Sequence, residues 1–384
     1  MKHAEVAGIL AFLTLSTAPG LNALPKFASR TGASCQSCHV NPTGRGMRTE
    51  FGRTFGRDEI TLPTYKDSTD FDEFPVDITK NFSIGGDFRT VYLYDRVSGN
   101  STFFQMQGNL YFDLRLNKLF RVYLNKGLYS NSFELIGLAR ILPLNGYVKV
   151  GKFLPAYGTR VDDHNAFIRG GPYGGGPIAG LFPAGYPTGL PFGSRAEDTG
   201  VEVGFAPGKF TLSAGLFDHQ AAVELPVAGT KRKAVALRAD TRFTVGGAPV
   251  SFGGSAYVVP SSTENTYYGV FSAVTLFQTL TWTGEVDLLD APHPGSSSTT
   301  GLVFWNELNW MVTPGVDLKA GYDFYDPDRD LRNGAFTQLT LGAEFFVLSG
   351  VEIRPLYKHI LADVPRPSGT TSGDQFVLLT HFFF

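Results

Sequence analysis

From about residue 81 to the last residue, apolar and polar side chains alternate one for one over long runs. That period sets the fold class. In the stretch that starts at Phe104, the residues Phe104, Met106, Leu110, Phe112, Leu114 and Leu116 alternate with Gln105, Gln107, Asn109, Asp113, Arg115 and Asn117. Successive side chains of a β-strand point to opposite faces, so this reads as one strand with an apolar and a polar side. Phe120, Val122 and Leu124 continue the pattern against Arg121, Tyr123 and Asn125. It returns as Val235, Leu237 and Phe243 against Arg238, Asp240 and Arg242, and as Val316, Leu318, Tyr322 and Phe324 against Asp317, Lys319 and Asp323. The final run carries Phe376, Leu378, Phe382 and Phe384 on one face. Strands of a soluble sandwich rarely alternate for so long, whereas a strand that crosses a bilayer at a tilt needs about 9–11 residues.

About 16 such strands fit the chain, and their connections alternate in length. The tight ones fall near Asn117-Lys118, Pro143–Gly146, Pro207-Gly208, Gly246–Pro249, Phe277-Gln278, Pro314-Gly315 and Ser349-Gly350. Between them come longer polar stretches, the longest from Leu154 to Asp198. The expected fold is therefore all-β: a transmembrane antiparallel β-barrel with short periplasmic turns and long outer loops. Much of its Tyr and Trp content is expected in the girdles at the membrane interfaces. The mean hydropathy of −0.03 agrees, because lipid-facing and lumen-facing residues average out along each strand. The terminal Phe384 resembles the signal read by outer-membrane insertion machinery. The Gly- and Pro-rich connection from Leu154 to Asp198 is the third outer loop, and it is expected to fold inward and constrict the pore.

The N-terminus, "MKHAEVAGILAFLTLSTAPGLNA", reads as a secretory signal over residues 1–23. Its apolar run is too short to span a membrane as a helix, and no later stretch is long enough. With 33 basic and 35 acidic residues the chain has no field for nucleic acid.

Only two cysteines occur, and both lie in "TGASCQSCHVNP". Cys35, Cys38 and His39 form C-x-x-C-H, the attachment pattern of a c-type haem, in which two thioether bonds fix the porphyrin and the adjacent histidine ligates iron. The alternative is a small disulfide beside an incidental histidine. If haem c is present, one per chain, His39 is its proximal ligand. Met47, His381 and His164 are the candidates for the sixth position. Acidic residues in outer loops, Asp162 with Asp163 and Asp326 with Asp328 and Asp330, are candidates to gather a hard cation such as Fe(II).

Residues 24–80 form the haem-binding segment and residues 81–384 the barrel. Roughly 58 residues separate the signal from the first strand, too few for a comfortable independent core around a haem. The segment is therefore expected at or in the periplasmic mouth of the barrel, whose walls complete the pocket.

"LPKFASRTGASCQSCHVNPTGRGMRTEFGRTF", Leu24 to Phe55, resembles the N-terminal signature of fused monohaem c-type cytochrome–porins of the bacterial outer membrane, a group that includes iron oxidases. Pro25, Phe27, Ala28, Thr31, Gly32, Cys35, Cys38, His39, Pro42, Phe51 and Gly52 carry the resemblance. It implies electron transfer from an outer donor, often Fe(II), through the haem to a periplasmic carrier such as a c-type cytochrome, within outer-membrane lipid. At "GRGMRTEFG", where iron oxidases tend to have proline and leucine, the chain is closer to other haem-motif porins. Two further functions remain open: a diffusion porin with a haem-bearing plug, and a barrel partner of a multihaem cytochrome.

Overall fold

The computed structural model describes residues 25–66, 75–128, 132–161, 163–171, 189–193, 196–219, 233–259, 266–291, 299–330, 334–363 and 372–384. The signal expected over residues 1–23 lies outside them, as does Asp162.

Short helices open the chain: α1 (Pro25–Thr31), α2 (Cys35–Cys38) and α3 (Glu50–Phe55), then a π-turn at Gly56–Ile60 and α4 (Pro63–Lys66). A three-residue strand, β1 (Asp77–Thr79), follows. The barrel strands are β2 (Phe82–Asp95), β3 (Ser101–Arg115), β4 (Phe120–Gly127), β5 (Phe133–Leu142), β6 (Gly146–Phe153), β7 (Asp198–Phe205), β8 (Phe210–Phe217), β9 (Ala234–Val245), β10 (Ala248–Val258), β11 (Thr266–Leu276), β12 (Leu280–Ala291), β13 (Thr299–Thr313), β14 (Val316–Asp326), β15 (Phe336–Leu348), β16 (Val351–Ala362) and β17 (Ser372–Phe383).

Each of β2 to β17 pairs antiparallel with its sequence neighbour, and β17 pairs back onto β2 from Gln375↔Asp95 to Phe383↔Asp87. The sheet thereby closes as a 16-strand barrel with no free edge. The seven tight turns all fall where the spacing places them, between β3 and β4 and then between every second pair. The first barrel strand starts at Phe82, and β1 pairs with its first residues through Asp77↔Ser83.

The alternation sorts side chains as a membrane barrel requires. Leu212, Leu237, Phe252, Val270, Leu308, Leu341 and Phe382 are exposed on the outer wall, while Asp113, Glu134, Lys149, Glu285, Asp287, Arg354 and Lys358 are buried on the inner wall.

One expectation is corrected. The run from Phe104 to Leu116 is not one uninterrupted apolar face. Between Arg89 and Thr90 the register of β2 against β3 shifts, so that Gln107 opposes Arg89 and Gln105 opposes Thr90. The extra residue, Met106, is a β-bulge that flips the strand beyond it. Phe104 and Met106 then pack on the inward cluster Val91, Leu93, Leu356, Val377 and Leu379, and Phe103 faces out. The aromatics divide between the two faces. Trp282, Trp310, Tyr268 and Tyr322 do face outward, but Tyr111, Tyr123, Tyr147, Tyr157 and Trp305 are buried inside. These rings pack inside the barrel against the third loop and the N-terminal segment.

Candidate functional site

The N-terminal segment is anchored to the inner wall on several sides. Arg30 donates two hydrogen bonds of 3.1 Å to the Asp317 carboxylate of β14. Thr275 of β11 bonds Ser29 at 2.8 Å, and Lys149 of β6 reaches the Thr43 hydroxyl at 3.0 Å. The Met47 N–H donates to the Tyr123 hydroxyl of β4 at 3.1 Å, and the Leu62 N–H to the Phe346 carbonyl of β15 at 3.0 Å. Phe27, Phe51 and Phe55 form a small apolar cluster with Phe346. Leu62 and Phe346 meet the chain near the turns at Gly315 and Gly350, so the segment sits in the turn-side half of the lumen.

Within it, Cys35 to Cys38 make one helical turn, and the His39 N–H closes it on the Cys35 carbonyl at 3.0 Å. His39 then runs extended and bridges to Arg48, so the stretch between them folds back as a tight lobe. Gly46 closes that lobe with φ +69°, a left-handed conformation, and a Cβ there would lie 2.0 Å from the Tyr123 hydroxyl. The Gly46 carbonyl lies 3.3 Å from His39 Nδ1. With Nδ1–H donating to a carbonyl, the imidazole keeps its lone pair on Nε2, which is the tautomer of a metal-ligating histidine. Thr49 caps α3 by accepting from the Gly52 N–H at 3.2 Å. At Gly52 the helix touches the motif: a Cβ would stand 2.4 Å from the Cys38 carbonyl oxygen.

Two cavities meet at His39. The larger, open to solvent, is bordered by Cys35, His39, Arg48 and His164. The smaller is bordered by Cys38, His39, Arg48 and His381. Both cysteines carry free thiols. Burial, and then the neighbouring Cys35, push the Cys38 thiol up to about 12. Cys35 and His39 thus border the larger cavity, and Cys38 and His39 the smaller. The residues present fit a covalently held haem.

The three further ligand candidates separate. Met47 is buried in the wall cluster with Tyr111 and Tyr123, its Cγ 3.5 Å from where a Gly85 Cβ would stand. His381 is buried between two carboxylates, with Nδ1 2.9 Å from Glu352 and Nε2 3.1 Å from Asp87. His164 borders the larger cavity, its Nε2 3.4 Å from Arg89.

His164 gets there because the third outer loop folds inward, as expected. Its described residues cross the lumen from β6 to the opposite wall. The Tyr157 hydroxyl donates to Asp287 of β12 at 2.8 Å, and the Gly158 N–H to Ser255 of β10 at 2.8 Å. Lys358 of β16 lies 3.4 Å from Asp163. Burial opposes ionisation of Asp163, but Lys358 and then Lys319 hold its carboxyl below the usual range. Asp326 and Asp328 spend their side chains on local turns, accepting from the Asp328 and Asp330 N–H groups at 3.1 and 3.0 Å. Among the described residues no group of three or more His, Cys, Asp or Glu is placed to hold a metal ion. Sequence reasoning missed Tyr123, Gly46, Arg45 and Arg160. The glycine-rich "GRGM" after the motif was the one local sign of a tight lobe pressed on a wall.

No family model and no curated protein matches the chain. Solved structures do. OmpT of Vibrio cholerae, an outer membrane protein in its trimer form, aligns with a TM-score of 0.54 at 15% identity, over 79% of this chain and 99% of that one. OprB of Pseudomonas putida aligns at 0.51 and 12% identity, over 79% and 94%. The anion-selective porin of Comamonas acidovorans aligns at 0.50 and 11% identity, over 79% and 99%. The chain has the closed 16-strand barrel fold of outer-membrane porins, with a short helical segment before it.

Proposed function

We propose that the chain is a bacterial outer-membrane barrel that carries one c-type haem in its lumen and passes electrons between the cell exterior and a periplasmic carrier. The observation that carries the reading is His39. It follows the two cysteines directly, its Nδ1 is set on the Gly46 carbonyl, and it borders both luminal cavities. Cys35 and Cys38 would hold the haem through two thioether bonds, and His39 would ligate its iron through Nε2. When bound, the haem supplies a one-electron couple. Met47 is turned to the wall and the His381 nitrogens face two carboxylates. His164 is thus the favoured sixth ligand, because it borders the larger cavity together with His39 and Cys35. The apolar outer wall faces lipid, and the inward third loop and the N-terminal segment line the space around the motif. Extracellular Fe(II) is the proposed donor, giving up one electron per carrier reduced. With that donor the chain acts as an iron oxidase; otherwise it is an electron carrier.

The porin fold favours a second reading, a diffusion channel with the segment as its plug. Proteoliposomes separate the two. With Fe(II) outside and oxidised cytochrome c trapped inside, the haem-loaded protein is expected to reduce the cytochrome, and His39→Ala is expected to abolish this. Equal reduction through a barrel lacking both thioether cysteines means that Fe(II) diffuses in, and the channel reading stands.

A further inference from the structure

The third loop brings two buried guanidinium groups into the lumen, and neither holds a close ion pair. Arg160 and Arg169 of that loop, and Arg45 of the N-terminal lobe, all border the larger cavity. Arg160 Nη2 donates to the carbonyls of Leu154 and Pro155 at 3.3 and 2.8 Å. Arg169 donates to the carbonyls of Ile168 and Tyr157, at 2.6 and 3.4 Å. The Nε of each is buried without an acceptor. Arg160 makes no ion pair among the described residues. Arg169 comes no nearer to Glu285 than 3.9 Å, and Arg45 no nearer to Glu197 than 3.7 Å.

Glu285 and Asp287 offset part of the Arg169 charge, and the carboxylates nearer Arg160 and Arg45 have other partners. Glu202 lies 2.8 Å from Lys149 and accepts from Tyr147 at 2.9 Å. Glu134 accepts from Asn125 and from the Leu154 N–H. Glu197 accepts from Ser132 at 2.8 Å. The three aspartates on the cavity each face a basic group: Asp87 has Arg89, Asp163 has Lys358 and Asp240 has Arg238. The like charges show in Arg160 itself. Burial, then Arg169 and Arg45, bring it down to about 9, with Glu134 and Glu202 acting the other way. Guanidinium groups with unused N–H donors in a confined space bind carboxylates strongly, because each N–H···O bond is charge-assisted and the planar fork suits two oxygens.

We propose that Arg45, Arg160 and Arg169 form a luminal site for a carboxylate-bearing anion, with Arg160 as its central donor. The chemistry has two sources: the propionates of a tetrapyrrole held in this cavity, or a free polycarboxylate that enters from outside. The site itself needs no haem, since all three arginines are in the bare chain.

The test uses the full chain purified from outer membranes of cells with and without c-type maturation, with haem content read separately by mass. Citrate is the probe and calorimetric titration at neutral pH the readout. The haem-free protein is expected to bind citrate, and Arg160→Gln to weaken binding about tenfold or more, the loss of a charged hydrogen bond. Arg45→Gln, on the other segment, is expected to weaken it as well. Loss of citrate binding in haem-loaded protein assigns the site to the propionates, and retention assigns it to free anions. No citrate binding by haem-free wild type, or equal binding by folded Arg160→Gln and Arg45→Gln, overturns the proposal. A chain that carries no haem but binds citrate defeats only the haem reading.

Discussion

The contact between Gly46 and Tyr123 locks the lobe around His39, and its two sides are expected to be energetically coupled. Tyr123 accepts the Met47 N–H at 3.1 Å, and both residues are buried. Tyr123→Phe leaves that N–H without a partner, a loss of about 1–3 kcal/mol. Gly46→Ala carries two separate costs. The left-handed backbone at φ +69° costs a residue with a Cβ about 1–2 kcal/mol. The clash of that Cβ with the Tyr123 hydroxyl, at 2.0 Å, adds about 1–3 kcal/mol of overpacking. In a Tyr123→Phe background the hydroxyl is gone and the nearest ring carbon stands at 3.2 Å, so most of the second cost vanishes. The double variant is expected to lose about 1–3 kcal/mol less than the two single variants together. Hydrogen exchange at the Met47 amide reads the local opening, with about 1.4 kcal/mol per tenfold in protection. Additive losses, or a Met47 amide that exchanges no faster in Tyr123→Phe, would refute the lock.

Two more outcomes follow from buried charge. Lys149 and Glu202 lie 2.8 Å apart, both almost wholly buried. Lys149→Met is expected to cost about 3–5 kcal/mol in urea unfolding of the folded barrel, and Lys149→Met with Glu202→Leu markedly less, because only the single variant strands a charge. Lys26 carries a pH dependence: burial outweighs Asp317 and lowers its ammonium from 10.5 to about 8. An undocked segment binds that proton between these values and the docked one does not. Docking therefore strengthens as pH rises from about 8, and below that this group contributes no slope. Protease protection of residues 25–31 against pH, flattened in Lys26→Met, checks the sign.

Much of the barrel was legible because its signals are local. A period of two, a Gly, Pro or Asn at six of the seven tight turns and a long Gly/Pro-rich third loop are each carried by neighbouring residues. The bulge at Met106 was not legible, because Phe103, Phe104 and Met106 are all apolar and either register gives a plausible face. Nor was the docking of the segment. Arg30 with Asp317, and Met47 with Tyr123, join residues far apart in the chain, and single residues carry no mark of such a partner. The tyrosines illustrate the same limit, since a girdle Tyr and a lumen Tyr look alike until the register is known. In the site itself, C-x-x-C-H was plain in the sequence. The tautomer of His39 was not, because it depends on the backbone fold of Gly46.

The most direct test of the central claim is the intact mass of the protein purified from outer membranes of cells with c-type maturation. The account expects a mass gain of one haem, resistant to denaturation and lost when Cys35→Ala and Cys38→Ala are combined. A chain at its bare polypeptide mass would contradict it, leaving a porin-like barrel whose cysteines hold no cofactor.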